Sequence, residues 1–304
     1  MRLGPRLAVA LVLAVSGFAP QAAAQTPPAV PAAPAAPDAA AQQWARHNAT
    51  EVVLRDAAAL VRVRPEIRAD VAVSIVNEGR LPALDVRVSR GRLTIDGGLR
   101  RQIRSCRVNG GDFEVVTSRQ GRLHGGELPV IELRVPERAV VTAGGAVRLH
   151  LAPAQSAQVR LEGCGDADIV RVEGLADVAV SGTGDLRLYE AGQADVRVAG
   201  SGDVVVGVVR SGLTVSIAGA GDFVAARADG PTNIALQGAG DVIIRDGHAS
   251  TLSVAIAGAG DVTHNGSAER LDAVVLGGGD VRVRHVSGQV SRRVLGGGEV
   301  VVGR

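Results

Sequence analysis

IAGAGDFVAARADGPTNIALQGAGDVII, residues 217–244, holds the same five-residue phrase twice: Gly-Ala-Gly-Asp and then an apolar residue, with acids at Asp222 and Asp241. Outward from this stretch the phrase recurs as GCGDA (Asp166), GTGDL (Asp185), GSGDV (Asp203), GAGDV (Asp261), GGGDV (Asp280) and GGGEV (Glu299). Successive acids stand 19, 18, 19, 19, 20, 19 and 19 residues apart. A period this constant signals a repeat architecture, in which each unit cannot bury its apolar face alone and stacks on its neighbours.

Alignment on the acid turns the flanking residues into columns. Five positions upstream stand Leu161, Val180, Val198, Ile217, Leu236, Ile256, Val275 and Val294; seven upstream stand Val159, Val178, Val196, Val215, Ile234, Val254, Ala273 and Arg292. Immediately after the acid come Ala167, Leu186, Val204, Phe223, Val242, Val262, Val281 and Val300. Each unit therefore supplies two short strands, one on either side of a Gly-rich corner, with like aliphatic residues stacked inward. A period near 19 suits one coil of a parallel β-helix, whose coils pair at about 4.8 Å, so that about nine coils make a rod of roughly 40 Å. The corner glycines are expected to supply backbone angles closed to other residues. A degenerate coil, TAGGAV, is expected just before the series, with Ala146 where an acid should stand. A propeller fails on length, since a blade needs four strands in about 40 residues.

The rest of the chain divides by composition. Residues 1–24 read as a signal peptide: Arg2 and Arg6 precede the apolar run Leu7–Val15, and Ala22-Ala23-Ala24 offers a cleavage site. That run is too short to span a bilayer as a permanent helix. Residues 25–48 form an Ala/Pro-rich linker that contains the sole Trp, Trp44. Residues 49–140 alternate apolar and polar positions between Gly, Pro, Asp and Asn, the pattern of short half-buried strands, and are expected to lead into and cap the repeats of 141–304. All 33 basic residues are Arg. Loss of Arg2 and Arg6 with the signal leaves 31 against 31 acids. A formally neutral chain of this kind points away from nucleic acid and anionic membrane. Cys106 and Cys164 are the only cysteines, and in an exported protein the expectation is that they pair.

A column of carboxylates one strand spacing apart repels itself unless something compensates. The acids are therefore read as structural turn residues, each accepting N–H groups of its own Gly corner. The alternative is calcium on the column, which one carboxylate per coil supports poorly, because the ion takes six to eight oxygens. The six histidines (His47, His124, His150, His248, His264, His285) are scattered, and His264 falls on the column of Ile169, Leu188, Val206 and Val283 as a tolerated or end-facing residue. Arg187, Arg197, Arg282 and Arg284 read as a solvated outer face. No Gly-x-Ser-x-Gly elbow, HExxH or P-loop is present. No catalytic, cofactor or metal residue is assigned, and the expectation is a non-enzyme.

The SGTGD, AGSGD and AGAGD phrases, together with ALDVRVSRGRLTIDGG (83–98) and IELRVPERAVVTAGG (131–145), resemble the GIN domain family, DUF2807, whose label is an auto-transporter adhesin head. The resemblance covers about residues 50–303 and implies an exported bacterial protein built as an all-β, right-handed parallel β-helix; it carries no catalytic residues to transfer. The primary expectation is an adhesin-like surface that binds an envelope or surface ligand, in the periplasm or outside the cell, not spanning the membrane after signal cleavage. A periplasmic assembly factor that self-associates through an open C-terminal edge is the second expectation. A polysaccharide-active enzyme using paired column carboxylates is the third; the five aromatic residues of the chain argue against it.

Overall fold

The computed structural model describes residues 43–77, 79–109 and 111–303, so the expected signal peptide and most of the expected linker lie outside the described residues. Among the described residues twenty-three strands join in one continuous hydrogen-bonded sheet and three more form a separate one. The large sheet is a parallel β-solenoid of about nine coils.

Register follows the period of the sequence. Val159 pairs with Val178, Val178 with Val196, Val196 with Val215, Val215 with Ile234, and Ile234 with Val254, always in parallel. On the other side of the Gly corner Leu186, Val204, Phe223, Val242 and Val262 stack in the same way. These columns are buried and form one core cluster running the length of the stack. Valine and isoleucine suit it, because each coil encloses a thin interior and β-branched side chains fit the pleat. Each coil has more inward positions than the two strands expected from sequence. Ala157, Ala176, Ala194 and Leu213 form a further buried column, and Val172, Ala191, Val209 and Ala228 another on a third run. The 20-residue interval between Asp241 and Asp261 is absorbed in that run, where Ala249 instead of Gly247 pairs with Ala268.

The region before the repeats is wound into the stack out of chain order. Glu51–Glu66, a 16-residue strand, pairs in parallel with Arg138–Leu151 on one side and with both Arg92–Asp96 and Val130–Pro136 on the other. The first long strand is thus an inner layer. Antiparallel strands close the outer layer: Val71–Val76 lies on Val130–Pro136, Ala45–His47 on Val71–Val76, and Asp85–Ser89 on Arg92–Asp96.

Ile103–Asn109, Asp112–Thr117 and Gly121–Leu123 make the separate antiparallel sheet. It has its own core of Phe113, Val115, Leu123, Leu99 and Leu128, set against Ala58 and Ala146 of the solenoid. The run Ala57-Ala58-Ala59 is buried at three successive positions because the strand is covered on both faces: Ala57 and Ala59 join the solenoid core and Ala58 the second core. Alanine permits that double cover at close range. Cys106 of this sheet is disulfide-bonded to Cys164 in the first Gly corner, with Cα atoms 5.8 Å apart.

One expected register is corrected. Leu149 pairs with Ala167, so Arg148, and not Ala146, stands at the head of the acid column.

Candidate functional site

The Gly-x-Gly-Asp corner is where backbone, side chain and charge meet in every coil, and its geometry explains each position of the phrase. The N–H of the middle residue donates to the first glycine of the preceding coil: Ser201 to the Gly182 carbonyl at 2.9 Å, Ala220 to Gly200 at 2.9 Å, Ala239 to Gly219 at 3.0 Å. The N–H one place after the acid donates the other way, Val204 to the Asp222 carbonyl and Phe223 to that of Asp241. Between these two directions the acid's own N–H lacks a backbone acceptor, and the preceding acid's side chain supplies one. Asp203 N–H donates to Asp185 Oδ1 at 3.1 Å, Asp222 to Asp203 at 2.9 Å, Asp241 to Asp222 at 2.8 Å, and Asp261 to Asp241 at 2.8 Å. Asp185 donates in this way to Asp166, Asp280 to Asp261, and Glu299 to Asp280.

The expectation that each acid accepts from its own corner is therefore corrected: the donor belongs to the next coil. A carboxylate that accepts an N–H keeps its charge more easily, which offsets repulsion along the column. Asp166 is the exception in protonation. Burial pushes its carboxyl above the usual aspartate range, against the Asp185 N–H it accepts and the charges of Arg148 and Arg187.

The corner glycines are also corrected in their reason. Of the sixteen at the first and third positions of the eight phrases, Gly163, Gly277 and Gly296 carry a positive φ and the others do not. What they share is close approach. A Cβ on Gly184, Gly202, Gly221 or Gly240 would overlap the carbonyl oxygen of the second glycine one coil earlier, and the first glycines meet the same obstacle. The middle positions are free of it: a Cβ at Gly278 or Gly297 meets nothing within 4 Å.

Charged residues on the outer faces pair within and between coils. Arg197 bridges Asp177 at 2.7 Å and Asp195 at 2.6 Å, Arg282 bridges Asp280 at 2.7 Å and Asp261 at 3.3 Å, and Arg187 stands 3.9 Å from Asp168. On the third run Arg171 meets Glu173 and Glu190, and Arg227 meets Asp229 and Asp246. Of the arginines read from sequence as simply solvated, Arg187, Arg197 and Arg282 are thus rungs of ion-pair ladders, while Arg284 donates to the Asn265 carbonyl at 3.4 Å. Middle coils break the pattern: Val205, Val224 and Ile243 stand two places after Asp203, Asp222 and Asp241, and Tyr189, four places after Asp185, is exposed.

The histidines do not converge. His124 bonds Asp112 at 2.8 Å and His248 bonds Glu269 at 3.1 Å, both on the surface. His264 is fully buried between Ile244 and Val283, and neither ring nitrogen has a partner. It thus sits in the aliphatic column where the sequence placed it, as a tolerated residue and not an end-facing one. Burial drives its ring below the ordinary histidine range. Trp44 lies under the Arg134 guanidinium, 4.3 Å from the ring centroid. Among the described residues no three His, Cys, Asp or Glu side chains are placed to hold a metal ion together, and no helix is long and apolar enough to cross a membrane.

Residues 169–303 match the model of the family DUF2807, described as "Putative auto-transporter adhesin, head GIN domain". The match begins well inside the region that the quoted phrases span. The chain is similar to a solved putative adhesin from Parabacteroides distasonis ATCC 8503, with 16% identity over 86% of this chain and 96% of that one and a TM-score of 0.49. A putative lipid binding protein from the same organism shows 14% identity over 86% and 96%, with a TM-score of 0.48. A putative adhesin from Parabacteroides merdae ATCC 43184 shows 14% identity over 85% and 95%, with a TM-score of 0.41. No curated protein matches the chain.

Proposed function

We propose, from the premise that residues 169–303 belong to the head GIN domain family, that this chain is an exported, non-enzymatic β-solenoid that presents its outer faces to a ligand at the cell envelope or beyond it. The observation that carries the reading is the regularity of those faces. Outward residues recur once per coil at the strand spacing, and their charges are largely matched within the face. Such a surface offers many equivalent shallow contacts and suits an extended partner met along its length. The column carboxylates support the same reading, since each from Asp166 to Asp280 has one oxygen committed to an N–H of the next coil.

Cell fractionation with protease shaving of intact cells tests the proposal, using an antibody raised against residues 49–304. Digestion on intact cells is the expected result. Protection until the outer membrane is opened would overturn surface presentation and favour a periplasmic assembly role.

A further inference from the structure

A groove of about 420 Å³ opens where the loop before the three-stranded sheet meets the first Gly corner. Preformed ligand sites fall in this size range and combine an apolar lining with a few placed polar groups. Here the apolar lining is Ile103 and the Cys106–Cys164 disulfide, backed by the buried Leu99, and Gly145 and Gly163 also line the groove. Arg101 and Arg104, both exposed, line it too. The ion pairs of the surrounding segments run elsewhere, Arg80 to Glu127, Arg92 to Glu51 and Arg107 to Glu114, and leave these two guanidinium groups without a carboxylate among the described residues. Asp56 is the one acid on the groove wall, so two cationic groups face one carboxylate.

The groove is also held in shape. Leu99 N–H donates to the Asp56 carbonyl at 2.9 Å, Gln102 N–H to that of Leu99 at 2.9 Å, and the disulfide ties the sheet to the solenoid. Two of the three non-glycine residues with left-handed backbone, Asp56 (φ 46°) and Arg101 (φ 60°), line it. Such conformations persist where surrounding structure over-determines them, and they cluster at ligand clamps.

We propose that this groove binds an amphiphilic monoanion of the fatty-carboxylate class, with its apolar chain against Ile103 and the disulfide, above the buried Leu99, and its head group between Arg101 and Arg104. The excess of one positive charge selects a single negative charge on the ligand. An apolar body is selected by a lining that water solvates poorly. The proposal is independent of how the outer faces are used.

The test is titration of the full disulfide-bonded chain with sodium octanoate and, separately, with 1-octanol, followed by calorimetry and by methyl NMR of Leu99 and Ile103. Octanoate is expected to shift both methyl sets saturably and to bind roughly tenfold more tightly than octanol, the contribution of a charge-assisted contact. The double variant Arg101→Gln/Arg104→Gln keeps the side-chain stems and should bring octanoate to the level of octanol, while Arg100→Gln, outside the groove, should change neither. Ile103→Asp should weaken both ligands. Absence of saturable octanoate shifts at Leu99 and Ile103 in the unmodified protein overturns the proposal even if the variants misfold. Unchanged octanoate affinity in a folded double variant overturns it too.

Discussion

At the residue scale the repeated phrase is a set of distinct physical requirements. Gly202 is required because its Cβ would strike the Gly184 carbonyl, whereas Gly278 has open space and no positive φ. Gly202→Ala should therefore cost about 1–3 kcal/mol, the range for overpacking, and Gly278→Ala should be neutral or stabilise by about 0.4–1 kcal/mol, as measured by urea unfolding. The acid is required as an acceptor more than as a charge. Asp222→Ala removes the bond to the Asp241 N–H and should cost about 0.5–1.5 kcal/mol, while Asp222→Asn, which keeps an acceptor oxygen and relieves repulsion, should melt at or above the unmodified temperature. His264 gives the opposite lesson, a polar ring in the aliphatic column with no partner. Burial lowers its proton affinity, outweighing the backbone groups of His264 and Gly266 and the charge of Asp246, which act the other way. The unfolded chain therefore binds more protons than the folded one below about pH 6.5, the ordinary value for histidine. Stability should be complete above that pH and fall as pH drops, by at most about 1.4 kcal/mol per unit, until the native ring itself protonates. His264→Leu should remove this slope and add about 1–3 kcal/mol, read from unfolding curves between pH 5 and 8.

At the scale of the element, the small antiparallel sheet is a satellite held by its own core and one covalent link. Its core meets the solenoid at Ala58, Ala146 and Leu60, and the Cys106–Cys164 bond, which spans 58 residues of chain, ties the two covalently. Reduction should cost about 2–4 kcal/mol. The loss belongs to the satellite, because the solenoid columns form a separate cluster. Hydrogen exchange with and without reductant should show faster exchange across Ile103–Leu123 and little change across Val204–Ile256. Equal acceleration in both would mean that the disulfide supports the coils themselves. Arg148 lies at the junction, donating to the Gly111 carbonyl at 3.0 Å and standing at the head of the acid column. A cation there complements the partly buried Asp166 below it.

At the scale of the molecule, stability is distributed along a line of neighbour contacts. Phe223, the one aromatic of the solenoid core, is fully buried between Val204 and Val242. Phe223→Ala should cost about 3–5 kcal/mol, and the lost exchange protection should be greatest in the coils carrying Val204 and Val242 and decay away from them. A uniform loss would show one cooperative block. The period was enough, read from the sequence alone, to determine the parallel solenoid, its coil length, the stacked columns at Val159, Leu161 and Ala167, and the recurrence of the acids. Identical neighbours at a fixed separation write their contacts directly into the sequence as repetition. Tertiary structure alone decided what lacks repetition: the inner place of Glu51–Glu66, paired with segments about 40 to 90 residues away, the lateral seat of the small sheet, and the two-residue shift from Ala146 to Arg148. It also decided that each acid serves the next coil and that His264 is sealed inside. Those facts depend on which backbone groups face one another across coils, and a pattern of residue types along one chain does not contain that distance.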